Sequence, residues 1–164
     1  MSQLLKTTIG KPKKWLLETA AAINLDFSEL VHETTNDFVT HTIKQHGNIE
    51  TERSGGQLPV TLSEIEQIPE IIKNPDCAII GVKKYSGILN VYLKRDTRGS
   101  VIYFEEVLSG KKNKSLRSKT MYKKMGLISN ETFFRIVSNN ANTDISNAIM
   151  VVGTGGNPGG EASV

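Results

Sequence analysis

The sequence has few of the residues that hold together small secreted domains or metal sites. It contains one cysteine, Cys77, and three histidines among 164 residues. A single cysteine excludes an internal disulfide framework and a zinc ribbon, because both need cysteine pairs. Cys77 opens the apolar run CAIIGV, so we expect it to be buried in a core and not to serve as a nucleophile.

Long hydrophobic runs are also missing. No stretch approaches the roughly 20 consecutive apolar residues that a transmembrane helix needs. The start, MSQLLKTTIGKPKKW, has no apolar core followed by a small-residue cleavage site, so we expect no secretory signal. With 38% hydrophobic and 23% charged residues, the chain has the composition of a soluble domain with a real core. We therefore expect no contact with a membrane.

The net charge of +3 averages two regions of opposite sign. Between Cys77 and Met125, 12 basic residues stand against 3 acidic ones, which gives this stretch a net charge of +9 and leaves −6 for the remainder. Such a concentration of positive charge predicts a surface that binds a polyanion. The alternative is that the lysines only solubilise exposed strands and turns.

Helical patterns dominate the first half of the chain. In order, they predict a helix over 11–23, a helix over 28–47 that is best defined from Asp37 to His46, a loop over 49–57, and a helical stretch over 61–76. Thr61 followed by Glu64 is a capping-box pattern, and Pro69 should divide the last stretch into two short helices.

After residue 76 the pattern changes to that of strands. Segments rich in β-branched and aromatic residues cover 77–85, 87–96, 100–108 and 114–124. Their short connections require antiparallel neighbours. We therefore predict an α+β fold with N-terminal helices packed on a four-stranded antiparallel β-meander sheet. The helices would cover one face, and the lysines and arginines would lie on the other.

The chain is expected to divide into four parts: an N-terminal helical extension over 1–27, an α+β domain over 28–125, a C-terminal helical segment over 126–152, and a disordered glycine-rich tail over 153–164. The C-terminal segment contains a predicted helix over 129–141. The tail glycines lack the lysine and the following helix of a phosphate-binding loop. A nucleotide-dependent modifying enzyme is therefore disfavoured.

The stretch HTIKQHGN, residues 41–48, holds two of the histidines. His41 and His46 are five residues apart, about 140° on a helix, whereas zinc-binding pairs favour a spacing of three or four. We therefore expect no metal. His32 is interpreted as a solvated helix residue. His46 lies at a helix end, where the helix dipole favours a positive charge, and is the better candidate for proton transfer.

RNA cleavage without a metal needs an acid, a base, and cations or strong donors near the phosphate. The chain can supply this set from His46 on a helix, Arg53 in the following segment, Lys83 or Lys84 at a strand end, and Thr120 and Tyr122 on the last strand. Residues two apart on a strand share a face, so the two hydroxyls should lie side by side.

The segments HTIKQHG (41–47), LPVTLSEIEQIPEIIKNPD (58–76) and LRSKTMYKK (116–124) carry a family resemblance. From about residue 38 to residue 124 the chain resembles the phage-associated branch of the barnase, EndoU, colicin and RelE-like nucleases. The resemblance implies a metal-independent, toxin-like endoribonuclease acting on tRNA or another structured RNA. Such an enzyme cleaves by attack of the ribose 2′-hydroxyl and leaves a 2′,3′-cyclic phosphate.

The resemblance and the charge pattern together give two sets of candidate residues. The catalytic candidates are His46, Arg53, Lys84, Thr120 and Tyr122. The RNA-binding candidates are His41, Lys83, Arg117, Lys119 and Lys123. A carboxylate on the sheet, Glu105 or Glu106, is an alternative general base, and the two alternate in direction along the strand.

The expected partners follow from the same resemblance. They are RNA, with tRNA as one candidate, and an acidic immunity or inhibitor protein; no cofactor is expected. The expected location is the cytoplasm of a host or target bacterial cell, with delivery by a virion as one route. The competing interpretation is a non-catalytic module of phage or prophage origin that binds a nucleic acid or a host protein through the basic stretch.

Overall fold

The computed structural model describes residues 4–85 and 87–153. Within this part of the chain there are six helices: α1 Lys14–Ala22, α2 Asn36–His46, α3 Ile49–Ser54, α4 Leu62–Glu66, α5 Ile68–Lys73 and α6 Asn130–Ser138. The strands are β1 Lys6–Gly10, β2 His32–Thr35, β3 Gln57–Leu58, β4 Cys77–Lys84, β5 Gly87–Arg95, β6 Gly99–Ser109, β7 Lys114–Met125, β8 Thr143–Asp144 and β9 Ile149–Val152. The fold class is α+β, as predicted.

The strands form one sheet in the order β1-β2-β7-β6-β5-β4-β8, with β3 paired to β7 and β9 paired to β4. All pairs are antiparallel except β2 with β7, which are parallel. The prediction of a four-stranded sheet is wrong, because nine strands form the sheet in residues 4–85 and 87–153. The four long strands do form an antiparallel meander close to their predicted bounds, and short strands extend it on both sides.

Several helix predictions are confirmed. The helix expected over 11–23 is α1, and the one expected over 129–141 is α6. The stretch after Thr61 divides at Pro69 into α4 and α5. Both hydrogen bonds of the capping box are present, and the Glu64 carboxylate accepts from the Thr61 backbone N–H at 2.8 Å.

Two predictions in the first half need correction. The helix expected over 28–47 is confirmed in its best-defined part, Asp37 to His46, but not before it: His32 lies on β2, and α2 begins only at Asn36, where the Thr35 hydroxyl accepts the Phe38 backbone N–H at 3.0 Å. Residues 49–57 are not a loop, because Asn48 caps the short helix α3 with hydrogen bonds to two backbone N–H groups. The side-chain caps of α2 and α3, and the pairing of β2 with strands distant in sequence, determine the structure of these two segments.

Both faces of the sheet carry a hydrophobic core. On what we call the helix face, α1, α2 and α5 pack against residues that include Ala78, Tyr103 and Met121. On the opposite face, which we call the cavity face, Phe133 and Val137 of α6 pack against the same strands. An open, basic sheet face was expected, and this expectation is wrong.

The basic residues between 77 and 125 are accordingly dispersed. Six of the 12 are exposed: Lys83, Arg98, Lys111, Lys112, Lys114 and Lys119. Others are held by polar groups of the protein, for example Lys94, whose amino group donates to the Asn74 carbonyl at 2.5 Å. The positive charge therefore lies mainly at strand ends and in turns.

A buried polar cluster lies inside the helix-face core. The Glu105 carboxylate, fully buried, accepts hydrogen bonds from Asn90 at 3.0 Å, from the Tyr92 hydroxyl, and from Nδ1 of His32 at 2.8 Å. Burial and the adjacent carboxylate raise the pKa of Tyr92 well above its usual value. His32 is thus a buried core residue and not a solvated one, and Glu105 does not face the solvent.

The expected N-terminal extension contributes to this core through Leu16 and Ala20 of α1, and β1 pairs with β2. The expected domain bounds at 27, 125 and 152 stay predictions. Apart from residue 153, the predicted disordered tail lies outside the described residues, as does Ser86 in the predicted turn between β4 and β5. No helix in the described part of the chain has the length and apolarity to cross a membrane.

The buried thiol gives a direct test of the cavity-face core. Cys77 is fully buried, and burial raises its pKa to about 11. Since the thiolate is the reactive form, we expect no reaction with DTNB at pH 8 in the folded protein. One thiol per chain should react in denaturant. Rapid labelling of the native protein, as fast as in denaturant, would contradict this packing.

Candidate active site

A cavity of about 450 Å³ opens on the cavity face between the end of α2 and the segment that follows α6. Its apolar lining is buried and comprises Val82, Leu89, Val91, Phe104 and Val137. Its polar lining includes His46, Lys84, Glu106, Lys119, Thr120, Tyr122 and Asn140. The polar groups are more exposed than the apolar ones, so they surround the mouth and the apolar side chains form the interior.

Helix α2 carries His46 to this cavity by crossing the edge of the sheet. Near its start, Phe38 packs edge-on against Tyr103 on the helix face, with ring centroids 6.1 Å apart. At its end, the His46 ring lies 5.9 Å from the Tyr122 ring on the cavity face. Gly47 ends the helix; a Cβ there would lie 2.4 Å from the Ile43 carbonyl oxygen, so a larger residue would force the backbone to shift.

The imidazole of His46 is held in one orientation. Its Nδ1 hydrogen-bonds to a Glu52 carboxylate oxygen at 3.0 Å, and Glu52 is 5% exposed. Tyr122, tilted 35° to the imidazole, is itself stacked on Phe104 at 6.1 Å. The Nε2 atom has no hydrogen-bond partner in the described part of the chain, which leaves it available for a ligand. A carboxylate that fixes one ring nitrogen sets the tautomer at the other.

A β-bulge in β7 shapes the wall next to His46. The register of β6 and β7 shifts between Phe104, which faces Thr120, and Glu105, which faces Ser118, so Lys119 is the extra residue. As a result Lys119 and Thr120, although adjacent, both line the cavity. Tyr122 follows on the same face as Thr120, as the alternation predicts. Burial raises the pKa of Tyr122 to about 12, so the phenol remains a hydrogen-bond donor at neutral pH.

The opposite wall is built from the end of β4 and the chain after α6. Lys84 is paired with Thr143 in the β4–β8 ladder, and its amino group donates to the Asn140 side-chain oxygen at 3.0 Å. Glu106 reaches the cavity because it alternates with Glu105, which points into the helix-face core. The cavity thus combines an imidazole, a carboxylate, two amino groups and several hydroxyls, among them those of Thr120 and Tyr122.

The structure brings four of the five catalytic candidates to one cavity, namely His46, Lys84, Thr120 and Tyr122. Arg53 is exposed at the end of α3 and does not line it. Of the RNA-binding candidates, Lys119 lines the cavity, whereas His41 and Lys83 are exposed elsewhere.

Arg117 and Lys123 are engaged in ion pairs within the protein. The Arg117 guanidinium donates to Glu33 at 2.6 Å. Lys123, 2% exposed, lies 2.5 Å from Asp96 and 3.2 Å from Glu64. Although burial opposes it, hydrogen bonds from Thr61 and Lys123 hold the pKa of Glu64 below its usual value. In this structure neither side chain is placed to reach a ligand in the cavity.

The sequence did not identify Glu52, Phe104 or Asn140 as site residues. Glu52 follows His46 by six residues and could be found only if α3 had been recognised from its cap, Asn48. The alternation of Glu105 and Glu106 indicated that one carboxylate would point to each face, but it did not say which. Phe104 and Asn140 carried no sequence signal that distinguished them from core and loop residues.

A family model described as "phage-Barnase-EndoU-ColicinE5/D-RelE like nuclease3" matches residues 10–130. The match covers more than two thirds of the chain and includes α2, the bulge of β7 and the lining residues up to Tyr122. It leaves out most of α6 and the segment with Asn140. Neither a curated protein nor a solved structure matches the chain.

The different positions of two lysines on β7 lead to a stability prediction. Lys123→Met leaves two carboxylates without their buried partner, so we expect the free energy of unfolding to fall by about 3 kcal/mol. Lys119→Met changes an exposed side chain and should alter the free energy of unfolding by less than about 0.5 kcal/mol. Urea unfolding of both variants measures the difference. Equal effects would contradict the buried position of Lys123.

The raised pKa of Tyr122 predicts a stability loss in base. Because the folded pKa is about 12 and the usual value is 10.0, the unfolded chain releases the phenolic proton first as the pH rises. Below pH 10 the group makes no pH-dependent contribution. Between pH 10 and 12 it should lower the free energy of unfolding by up to about 1.4 kcal/mol per pH unit. Between pH 9 and pH 11, the free energy of unfolding measured with urea should fall more for wild type than for Tyr122→Phe. An equal fall in both proteins would contradict the raised pKa of Tyr122.

Proposed function

Because the chain belongs to the family of phage barnase–EndoU–colicin E5/D–RelE-like nucleases, we propose that it is an endoribonuclease that needs no metal ion. The proposed substrate is a structured RNA, with tRNA as the first candidate. The proposed reaction is attack of a ribose 2′-hydroxyl on the adjacent phosphorus. It expels the 5′-oxygen of the next nucleotide and leaves a 2′,3′-cyclic phosphate.

The observation that carries this proposal is the position of His46. Residues far apart in sequence, His46 on α2 and Thr120 and Tyr122 on β7, line the same cavity. Histidine is the side chain most often used for general acid–base catalysis. Glu52 holds Nδ1, so Nε2 is the atom that exchanges a proton with the substrate. We assign Glu52 the role of a positioning residue.

Glu106 is the second proton-transfer group in this proposal. Along β6 it lies four residues from Ile102, the residue paired with Tyr122, a separation of about 13 Å between backbone positions. His46 and Glu106 therefore approach the cavity from different ends. In an in-line displacement the attacking and departing oxygens lie on opposite sides of phosphorus. Glu106 accepts the proton of the 2′-hydroxyl, and His46 gives a proton to the departing 5′-oxygen.

The remaining polar groups stabilise the negative charge that grows on the phosphate oxygens. Lys84 and Lys119 supply two amino groups, and Thr120 and Tyr122 supply two hydroxyl donors. Donors fixed in advance at a developing charge lower the barrier without reorganising during the reaction. The neutral phenol of Tyr122 suits this role, because its pKa of about 12 keeps the proton in place.

The proposal extends to partners and location. The lysines of the cavity, Lys84 and the exposed Lys119, suit an acidic inhibitor protein as well as RNA. The proposed place of action is the cytoplasm of a bacterial host or target cell. Binding of RNA without any product is the main competing result, and it would favour a non-catalytic module.

The decisive experiment is incubation of the protein with total tRNA in EDTA. We expect discrete fragments that end in a 2′,3′-cyclic phosphate. His46→Ala and Glu106→Gln should each lower the rate by about 10²- to 10⁴-fold, the usual contribution of one proton-transfer group.

Gln45→Ala is a matched control, because Gln45 is an exposed neighbour of His46 on the same helix and does not line the cavity. It should cleave at the wild-type rate. Cleavage that survives His46→Ala, or that appears only when Mg²⁺ is added, would overturn the proposed mechanism.

A further inference from the structure

A groove separate from the candidate active site lies between β1 and the helices α4 and α5. It consists of two adjoining cavities, of about 280 Å³ and about 120 Å³, which share Ile9 and Pro69 in their walls. We call the two together the β1 groove; residues 7–13 form one side and residues 65–73 the other. The groove shares no lining residue with the cavity that contains His46.

His32 is the innermost residue of the smaller cavity, and one of its ring nitrogens has no partner. The side chain is 2% exposed; Nδ1 bonds to Glu105 at 2.8 Å, whereas Nε2 has no hydrogen-bond partner in residues 4–85 and 87–153. Three donors point at the fully buried Glu105 carboxylate, whose negative charge needs a positive partner. Within those residues its ion-pair partner is His32 alone. A protonated imidazole donates from both nitrogens, so Nε2 directs an N–H into the cavity.

The mouth of the smaller cavity is positively charged. Lys11, Lys13 and Lys73 line it, all three are exposed, and none forms an ion pair with a carboxylate of the described chain. The Trp15 indole N–H donates to the Lys73 carbonyl at 3.0 Å, which joins the start of α1 to the end of α5. Because no carboxylate is among the lining residues, this cavity is complementary to an acidic group of a ligand.

The larger cavity determines what that acidic group is attached to. Its wall includes the apolar Ile65 and Ile68, and also the Thr34 hydroxyl, which is buried without a hydrogen-bond partner among the described residues. Glu66 at this cavity disfavours a second acidic group here. Thr34 and His32 share a face of β2 and lie roughly 7 Å apart, the repeat of alternate side chains in an extended peptide.

The backbone of β1 adds a reason for a peptide. In the sheet formed by the described residues, β1 is the outermost strand on its side, and Lys6, Thr7 and Thr8 are exposed. The free edge of such a strand pairs with an added strand through backbone hydrogen bonds, and cavities for alternate side chains give specificity. Leu5, just before β1, is 59% exposed and extends the apolar surface. A phosphate would gain nothing from this edge or from the apolar cavity.

We propose that the β1 groove binds an extended, acidic peptide segment of another protein. The segment lies along β1 and places an apolar side chain in the larger cavity. Two residues further on, an aspartate or glutamate accepts the Nε2 hydrogen of His32 between the lysines. The site is independent of the proposed RNA cleavage, and a partner bound there leaves the cavity of His46 open.

A synthetic peptide tests the proposal. The probe is an acetylated and amidated peptide of the sequence Thr-Val-Thr-Val-Thr-Glu-Thr, which has its valines and its glutamate on one face when extended. NMR of the isotope-labelled full chain during titration locates the site and gives the affinity. We expect saturable shifts of the His32 ring and of the β1 amides, with the His46 ring unchanged. A peptide with glutamine in place of glutamate should bind at least about tenfold more weakly, because it loses a hydrogen bond between charged groups.

Exposed lysines provide matched variants that leave the core intact. Lys13→Gln combined with Lys73→Gln should weaken binding of the glutamate peptide roughly five- to tenfold. Lys14→Gln is the control, because Lys14 is an exposed neighbour that pairs with Glu18 and does not line the groove. It should bind the peptide as wild type does.

Three results would overturn the proposal. The first is equal affinity for the glutamate and glutamine peptides, and the second is equal binding by the double variant and Lys14→Gln. The third is displacement of the peptide by inorganic phosphate at matched ionic strength, which would make the smaller cavity a site for free anions. Peptide shifts confined to the β1 groove, lost in the double variant and insensitive to phosphate, would support it.

Discussion

The candidate active site depends on the use of one edge of β7 by two separate strands. β2 pairs with β7 at Leu116 and Arg117, and β3 pairs with the same strand at Lys123 and Lys124. The chain between them must travel roughly 20 Å along this edge, at about 3.3 Å per strand residue. The 11 residues of α2 cover about 16 Å of that distance. The end of α2 is therefore obliged to lie near Tyr122, and His46 occupies that end.

The two faces of the central strands serve different purposes, and alternation along each strand assigns residues to one or the other. On β6, Glu105 is enclosed with Tyr92, Asn90 and His32 in the helix-face core, whereas its neighbour Glu106 lines the cavity. A buried carboxylate with several donors is costly to disturb and fixes the arrangement of the strands around it. The same sheet can thus be rigid inside and present reactive groups outside.

The sequence predicted those features that arise from local patterns. Period-two alternation located the four long strands and placed Thr120 and Tyr122 on one side, and the Thr61–Glu64 pair located a helix start. The grouping of His46 with these hydroxyls came from the needs of metal-free RNA cleavage and from the family resemblance. The short strands were missed because segments of two to five residues are too short to show an alternation of apolar and polar residues, and because their partner strands lie far away in sequence. His32 and Lys123 were misjudged because residue type alone does not reveal burial opposite Glu105 or Glu64.

We expect His46, and neither of the other histidines, to contact the phosphate of an RNA ligand. The most direct test is NMR of the imidazole resonances during titration with a 3′-nucleotide monophosphate in EDTA. The three histidines have different environments: His46 lines the cavity, His41 is exposed on the same helix, and His32 is buried. We expect saturable shifts of the His46 and Tyr122 ring resonances, while those of His32 and His41 stay unchanged. Saturable shifts centred on His41, or none at His46 when the nucleotide binds, would contradict it.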